Sequence, residues 1–127
     1  MRHIESNIQT VCVTWFRLRY KRLAPLLFAV PNGGARNRVE AAIMKGEGVL
    51  AGVSDLLFLY PSGQYHGLCI EMKAPDGRQR DSQKEWQKAV EEQGYKYILC
   101  FGIEEFQTKI KEYLNESADS CQQMAQG

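Results

Sequence analysis

Apolar residues near the start of the chain recur with the period of a helix. They step by four, three, four and three positions along one stripe: Ile4, Ile8, Val11, Trp15 and Leu18. Positions spaced in this way share one side of a helix, and an apolar side normally faces a protein core. The pattern therefore predicts a helix over about residues 3–22, with this stripe turned inward.

Elsewhere the apolar residues form short continuous runs. LLFAV (26–30), DLLFLY (55–60) and KYILCF (96–101) each predict a buried strand. YHGLCIEMK (65–73) predicts a further strand, joined to the second by the turn sequence PSGQ. Strands without polar alternation are typical of a sheet that is covered on both faces. We therefore expect helices on both sides of the sheet.

Three further helical patterns complete the domain, of which the first is weak. They cover residues 36–47, a stretch that Asp81 or Ser82 would cap and that Gly94 would end, and residues 103–116. The resulting order is α-β-α-β-β-α-β-α. It predicts an α/β domain of three layers, with one hairpin in a mixed sheet.

Length and composition change this interpretation little. The chain has 127 residues, of which 44% are hydrophobic and 24% charged, as expected of one globular domain. We assign the domain to residues 1–116 and expect the polar residues 117–127 to be a disordered tail. No apolar run approaches the roughly 18 residues that span a bilayer, and the start shows no secretory signal. We therefore expect a cytoplasmic protein without a membrane partner.

Charge is unevenly distributed along the chain. Residues 1–80 carry 11 Lys and Arg against 6 Asp and Glu, whereas residues 81–127 carry 5 against 9. A basic face is compatible with contacts to phosphate groups, but it does not require them.

Candidate chemistry lies at one end of the predicted hairpin. If the chain turns around Gly63, residues pair when their numbers sum to 126, so that Asp55 lies opposite Glu71. Directly opposed residues project from the same face, and Lys73 shares that face because it follows Glu71 by two positions. Two carboxylates and one amine should therefore converge.

Two opposed carboxylates repel each other and need a cation nearby. Lys73 could supply part of that charge and a divalent metal the rest. Mg²⁺ prefers a few carboxylates together with water and phosphate oxygens, and it can activate water against a phosphodiester. The simpler alternative is an ordinary charged strand end with a salt bridge, because Glu-x-Lys triplets are common.

Two segments around these residues resemble a known family. GVSDLLFL (52–59) and CIEMKAPDGRQRDSQKEW (69–86) are similar to the PD-(D/E)xK nucleases, and above all to the stand-alone VRR-Nuc domains. That family has Gly-x-x-Asp, Glu-x-Lys and a Gln-x-x-Trp helix start, which Gln83 and Trp86 match. Ser54 stands where the motif name has Pro, at a position that binds no metal. The resemblance implies a restriction-endonuclease-like fold, with a central mixed sheet flanked by helices.

The resemblance also implies roles for individual residues. It implies that Mg²⁺ or Mn²⁺ is held by four groups: Asp55, Glu71, the backbone carbonyl of Met72, and Glu5 on the first helix. Lys73 would position the attacking water, and Gln83 would belong to the catalytic set beside it. Glu5 has a simpler alternative as an acid favoured at a helix start, and Gln83 as a surface amide.

Further residues are expected to contact nucleic acid. PNGG (31–34) resembles the loop after the family's first strand and contains Asn32. Arg36, Arg38 and Lys45 flank the glycine-containing segments, where they could bind phosphates or simply coat a short helix.

The function implied is that of a metal-dependent DNA endonuclease. Similarity of the stand-alone VRR-Nuc domains to Holliday junction resolvases implies branched DNA as substrate and a homodimer, with two active sites facing two strands. Two alternatives are a nuclease for linear DNA on the same fold, and a non-catalytic nucleic-acid-binding or assembly module.

Overall fold

The computed structural model of the protein describes residues 2–31 and 36–116, so that Asn32 and the tail at 117–127 lie outside the described residues. The elements are as follows: α1 (Arg2–Arg19), a 3₁₀ turn (Ala24–Leu26), β1 (Leu27–Ala29), α2 (Arg38–Gly46), β2 (Leu56–Phe58), β3 (Leu68–Met72), α3 (Asp81–Glu92), β4 (Lys96–Cys100) and α4 (Ile103–Tyr113). The predicted order of helices and strands is confirmed, although most elements are shorter than predicted. None of the helices within these ranges is long and apolar enough to cross a membrane.

The four strands form one mixed sheet in the order β1-β2-β3-β4. The first three strands pair antiparallel, and β4 joins β3 in parallel. Helices α1 and α4 pack on one face, where their side chains share a buried cluster with alternate residues of the strands. Helix α3 lies on the other face, where its Gln83 reaches Glu71 of β3. The three-layer α/β fold is confirmed.

The face that α1 turns inward differs from the prediction. Cys12, Phe16 and Tyr20 are buried, whereas Val11 and Leu18 are 52% and 70% exposed. The aromatic rings decide the orientation, because Phe16 packs against Phe58 of β2 with ring centroids 5.1 Å apart. The predicted inward stripe was therefore wrong at Val11 and Leu18, whereas Ile8 and Trp15 are partly buried against the core.

Strand β1 also departs from the prediction. Only Leu27 is buried, while Phe28 is 38% exposed and Ala29 is exposed as well. Strand β1 is at the edge of the sheet and pairs with β2 only. On the face opposite α1 and α4, helix α3 packs against β4 and the end of β3, at the other edge of the sheet. The expectation that this strand is covered on both faces was therefore wrong.

The hairpin of β2 and β3 has the predicted register. Leu56 pairs with Ile70, and Phe58 pairs with Leu68, so that paired numbers sum to 126. Gly63 lies in the connecting turn with φ of +58°. Continuing the same register by one residue brings Asp55 opposite Glu71, as the sequence predicted.

Helix α2 stands apart from the core. Its first turn is capped by Asn37, whose side-chain oxygen accepts a hydrogen bond of 2.9 Å from the backbone N–H of Glu40. None of its side chains is buried. Its position therefore depends on the segments on either side of it.

The segment after α2 approaches the first turn of α3 closely, at a glycine. Gly52 has φ of +92°, and a Cβ atom there would lie 2.3 Å from the carbonyl oxygen of Ser82. Gly48 also has a positive φ, of +105°, but a Cβ atom there would meet nothing within 4 Å. Of these two glycines, only Gly52 permits a close approach of another segment by its lack of a side chain.

Substitutions at these two glycines distinguish the cost of backbone strain from the cost of a steric clash. We expect Gly48→Ala to lower the free energy of unfolding by about 1–2 kcal/mol, the cost of a left-handed backbone for alanine. Gly52→Ala should cost clearly more, because the added methyl group also meets Ser82. Urea denaturation of both variants measures the difference. Equal losses would show that the segment moves away from α3 without penalty.

Candidate active site

Asp55 and Glu71 place two carboxyl groups at one end of the hairpin. Asp55 precedes β2, where its backbone carbonyl accepts a 2.8 Å hydrogen bond from Val30, and Glu71 lies within β3 and is 3% exposed. The side chain of Asp55 accepts a hydrogen bond of 2.7 Å from the backbone N–H of Met72. This bond fixes the aspartate against β3. The two carboxyl groups are close enough to hydrogen-bond to each other when one is protonated.

Their proximity has an electrostatic cost. The pKa of Glu71 is raised to about 8, first by burial and then by the charge and hydrogen bond of Asp55. The positive charges of Lys73 and Arg80 act in the opposite direction but do not compensate. Without another cation, the pair therefore tends to keep one proton at neutral pH.

Gln83 lies between Glu71 and Lys73 and connects them. Its side-chain N–H donates to Glu71 at 2.8 Å, and its side-chain oxygen accepts from the ammonium of Lys73 at 2.9 Å. An ammonium can only donate, so Lys73 fixes the position of the amide oxygen. The amide N–H is then left facing an oxygen of the Glu71 carboxyl group. Gln83 is 3% exposed, and the alternative of a plain surface amide is wrong.

The same glutamine forms the start of α3. Its side-chain oxygen also accepts a hydrogen bond of 2.7 Å from the backbone N–H of Arg80, the residue before the helix. The sequence predicted a cap at Asp81 or Ser82, and that prediction was wrong. A residue in the first turn reaches back to the preceding N–H instead, as in one half of a capping box.

Lys73 is held in place without a direct ion pair to the acids. It is 6% exposed, and its ammonium bonds to Gln83, while its charge acts on Glu71 through space. The expected convergence of Asp55, Glu71 and Lys73 is thus present. The resemblance placed Gln83 beside Lys73, whereas its hydrogen bond to Glu71 was not predicted.

The sequence also gave no indication of two polar residues behind Glu71. The hydroxyl of Tyr97 lies 3.5 Å from Glu71, and the amide of Gln79 donates to that hydroxyl at 3.2 Å. Burial raises the pKa of Tyr97 well above its usual value, so that its hydroxyl stays protonated and able to donate. The apolar run KYILCF concealed Tyr97. The position of Tyr97 becomes clear only from the parallel pairing of β4 with β3, which places Tyr97 on the same face of the sheet as Glu71.

Four other predicted side chains, those of Glu5, Arg36, Arg38 and Lys45, are not part of this hydrogen-bonded cluster. Glu5 is half-buried on α1. Over residues 2–31 and 36–116, no three His, Cys, Asp or Glu residues form a group that could hold a metal ion, so Glu5 does not complete a three-acid site with Asp55 and Glu71. Arg36, Arg38 and Lys45 are exposed before and along α2.

The acid pair fits a hard divalent cation. Asp55 and Glu71 offer carboxylate oxygens, the ligands that Mg²⁺ and Mn²⁺ prefer. The raised pKa of Glu71 shows that negative charge at this point lacks compensation. A bound cation would supply it and displace the shared proton.

The pKa of Glu71 predicts how stability depends on pH in metal-free buffer. The folded chain holds a proton up to about pH 8 that the unfolded chain releases near 4.5. The stabilisation is therefore complete below the lower value and is lost as pH rises to the upper one. We expect the free energy of unfolding in EDTA to fall across this window, and Glu71→Gln to reduce the slope. An unchanged slope in the variant would assign it to other groups.

Comparison with known proteins identifies the family to which the chain belongs. The family model for the VRR-NUC domain matches residues 2–103. A solved structure described as a VRR_NUC domain protein is 29% identical in sequence, with a TM-score of 0.77 over 88% of this chain and 88% of that one. No curated protein matches the chain. The family model covers most of the sequence, including every residue of the acid, lysine and glutamine cluster, and the chain therefore belongs to the VRR-NUC domain family.

Proposed function

We propose that this protein is a metal-dependent DNA endonuclease whose reaction centre is the cluster of Asp55, Glu71, Lys73 and Gln83. Membership of the VRR-NUC family supports a nuclease-type function. The observation that carries the metal-dependent part is the pair of opposed carboxyl groups, with the pKa of Glu71 raised to about 8. Such a pair destabilises a purely structural strand end, but it suits a cation that binds a phosphodiester.

Each residue of the cluster would have a distinct task. Asp55 and Glu71 would hold Mg²⁺ or Mn²⁺, together with the backbone carbonyl of Met72. When bound, the ion would polarise the phosphodiester and make water more acidic. Lys73 would orient the attacking water and stabilise charge that develops on the phosphoryl oxygens. Gln83 would keep Lys73 and Glu71 at a fixed separation through its two hydrogen bonds.

Exposed cations would bind the DNA backbone. Arg36, Arg38 and Lys45 are all exposed and lie before or along α2, in the part of the sequence with excess positive charge. Contacts of this kind position a duplex without reading its sequence. A chain of 127 residues would leave little surface for reading bases, so the protein would select DNA by shape more than by sequence.

The substrate would be branched DNA, such as a four-way junction, and the active form a homodimer. This part of the proposal rests on the resemblance to stand-alone VRR-Nuc domains. A two-fold axis would set two identical sites against two strands of a junction. A monomer cutting linear DNA, or a module that binds without cutting, would be the alternatives.

Cleavage assays test the proposal. We expect a labelled four-way junction to be cut with Mg²⁺ or Mn²⁺ and not with EDTA, and a linear duplex of the same sequence to be cut more slowly. Glu71→Gln and Lys73→Ala should each lower the rate by at least about 100-fold, since both act at the reacting atoms.

Several outcomes would change the assignment. Equal cutting of both substrates would remove the junction preference. Cleavage in EDTA would show that the reaction does not depend on a metal ion. No cutting by folded wild type would favour a binding module. Light scattering on the same samples gives the mass of the species that binds the junction.

The role of Gln83 has its own test. Gln83→Met keeps the length of the side chain but removes every hydrogen bond to Lys73, Glu71 and Arg80. We expect cleavage to fall roughly 10–100-fold, the usual effect of losing a residue that orients metal ligands. Gln87→Met is the matched control on the same helix, because Gln87 bonds to Gln79 and Glu91 only. Equal rates for the two variants would contradict the positioning role.

A further inference from the structure

A groove of about 960 Å³ lies beside the candidate active site. Its wall is formed by α2, the segment that follows it, and the first turns of α3. The residues that line it are these: Ala41, Met44, Lys45, Gly48, Val49, Leu50, Ala51, Gly52, Arg80, Ser82 and Glu85. This volume is at the upper end of the range of roughly 300–1,000 Å³ that is common for small-molecule sites.

The apolar side of the groove is not used by the fold. Val49 and Leu50 are 41% and 57% exposed, and α2 buries none of its side chains. Exposed aliphatic groups gathered in one concave place are a frequent sign of a binding site. Aromatic rings are absent from the lining, so that a ligand would be held by aliphatic contacts.

The polar side of the groove leads to the active site. Arg80 lines it, and its positive charge acts on Glu71, so the guanidinium lies within electrostatic range of the acid pair. The backbone of Arg80 is bonded to Gln83, and Ser82 precedes that residue directly. Lys45 contributes a second cation from α2. An anionic group bound at Arg80 would therefore lie within electrostatic range of the reaction centre.

We propose that the groove binds an unstacked nucleotide of the strand being cut, with its base against Val49 and Leu50 and its phosphate near Lys45 and Arg80. The faces of bases are covered by stacking in paired DNA, whereas an unstacked base exposes flat, weakly polar faces that can pack against apolar side chains. Glu85 adds a carboxylate that can accept from an N–H group on the Watson–Crick edge of a base, such as the N3–H of thymine, and it repels phosphate toward the two cations. This inference rests on the proposed function for the identity of the strand.

A binding assay without turnover tests the groove. The probe is a fluorescein-labelled hexathymidylate, titrated in EDTA and followed by anisotropy. Leu50→Ser should weaken binding on the order of tenfold, because it removes most of the apolar area that a leucine can bury against a base. Val39→Ser is the matched control, because Val39 is 68% exposed on α2 but does not line the groove. A probe of abasic sugar phosphates should bind both variants and wild type equally weakly.

The outcomes separate the groove from the nuclease. Equal affinity of both variants for hexathymidylate, or no binding by wild type, would overturn the groove. Loss of self-association in Leu50→Ser, with unchanged affinity for the probe, would instead make the groove a contact between two copies. Groove binding by a wild-type protein that cuts no DNA would overturn the nuclease and keep the nucleotide site. DNA cleavage by wild type, with normal probe binding by Leu50→Ser, would keep the nuclease and overturn the nucleotide site.

Discussion

Repulsion between the carboxyl groups of Asp55 and Glu71 is the constraint on which this structure depends. The hairpin register forces them together, and burial of Glu71 prevents water from screening them. A sheet selected only for stability would place apolar or oppositely charged residues at these two positions. The surrounding residues moderate the cost: Met72 donates its N–H to Asp55, and Gln83 donates to Glu71. The cost is nevertheless visible in the raised pKa of Glu71.

Gln83 couples local helix structure to this electrostatic problem. One amide satisfies a backbone N–H before α3 and also separates a buried ammonium from a buried carboxylate. A direct ion pair between Lys73 and Glu71 would neutralise both charges and hold the lysine against the acid. The intervening amide leaves each group a defined partner without that neutralisation. Helix α3 therefore cannot shift along the sheet without disturbing the site.

The sequence was sufficient for the parts of the fold that depend on local chemistry. Turn residues around Gly63 fixed the hairpin register, and with it the meeting of Asp55 and Glu71. The inward face of α1 could not be read in the same way. Periodicity admits two adjacent apolar stripes there, and the choice depends on Phe58, which is remote in sequence.

The polar surroundings of Glu71 were hidden for a related reason. Tyr97 lies in an apolar run, and only the parallel pairing of β3 with β4 shows which face it occupies. Gln83 was identified by family likeness, but its three hydrogen bonds require the position of α3 over the sheet. Contacts between elements distant in sequence were thus the part that no local pattern could predict.

Helix α2 has an evolutionary consequence because it buries no side chain. Most harmful mutations act by destabilising the fold, and selection removes them. Substitutions on a helix with no buried side chain have little effect on stability and are therefore not removed in this way. Residues along α2 can accordingly be exchanged while the sheet and its acid pair stay intact. Related chains could diverge in what they bind through this one short segment and retain the same chemistry beneath it.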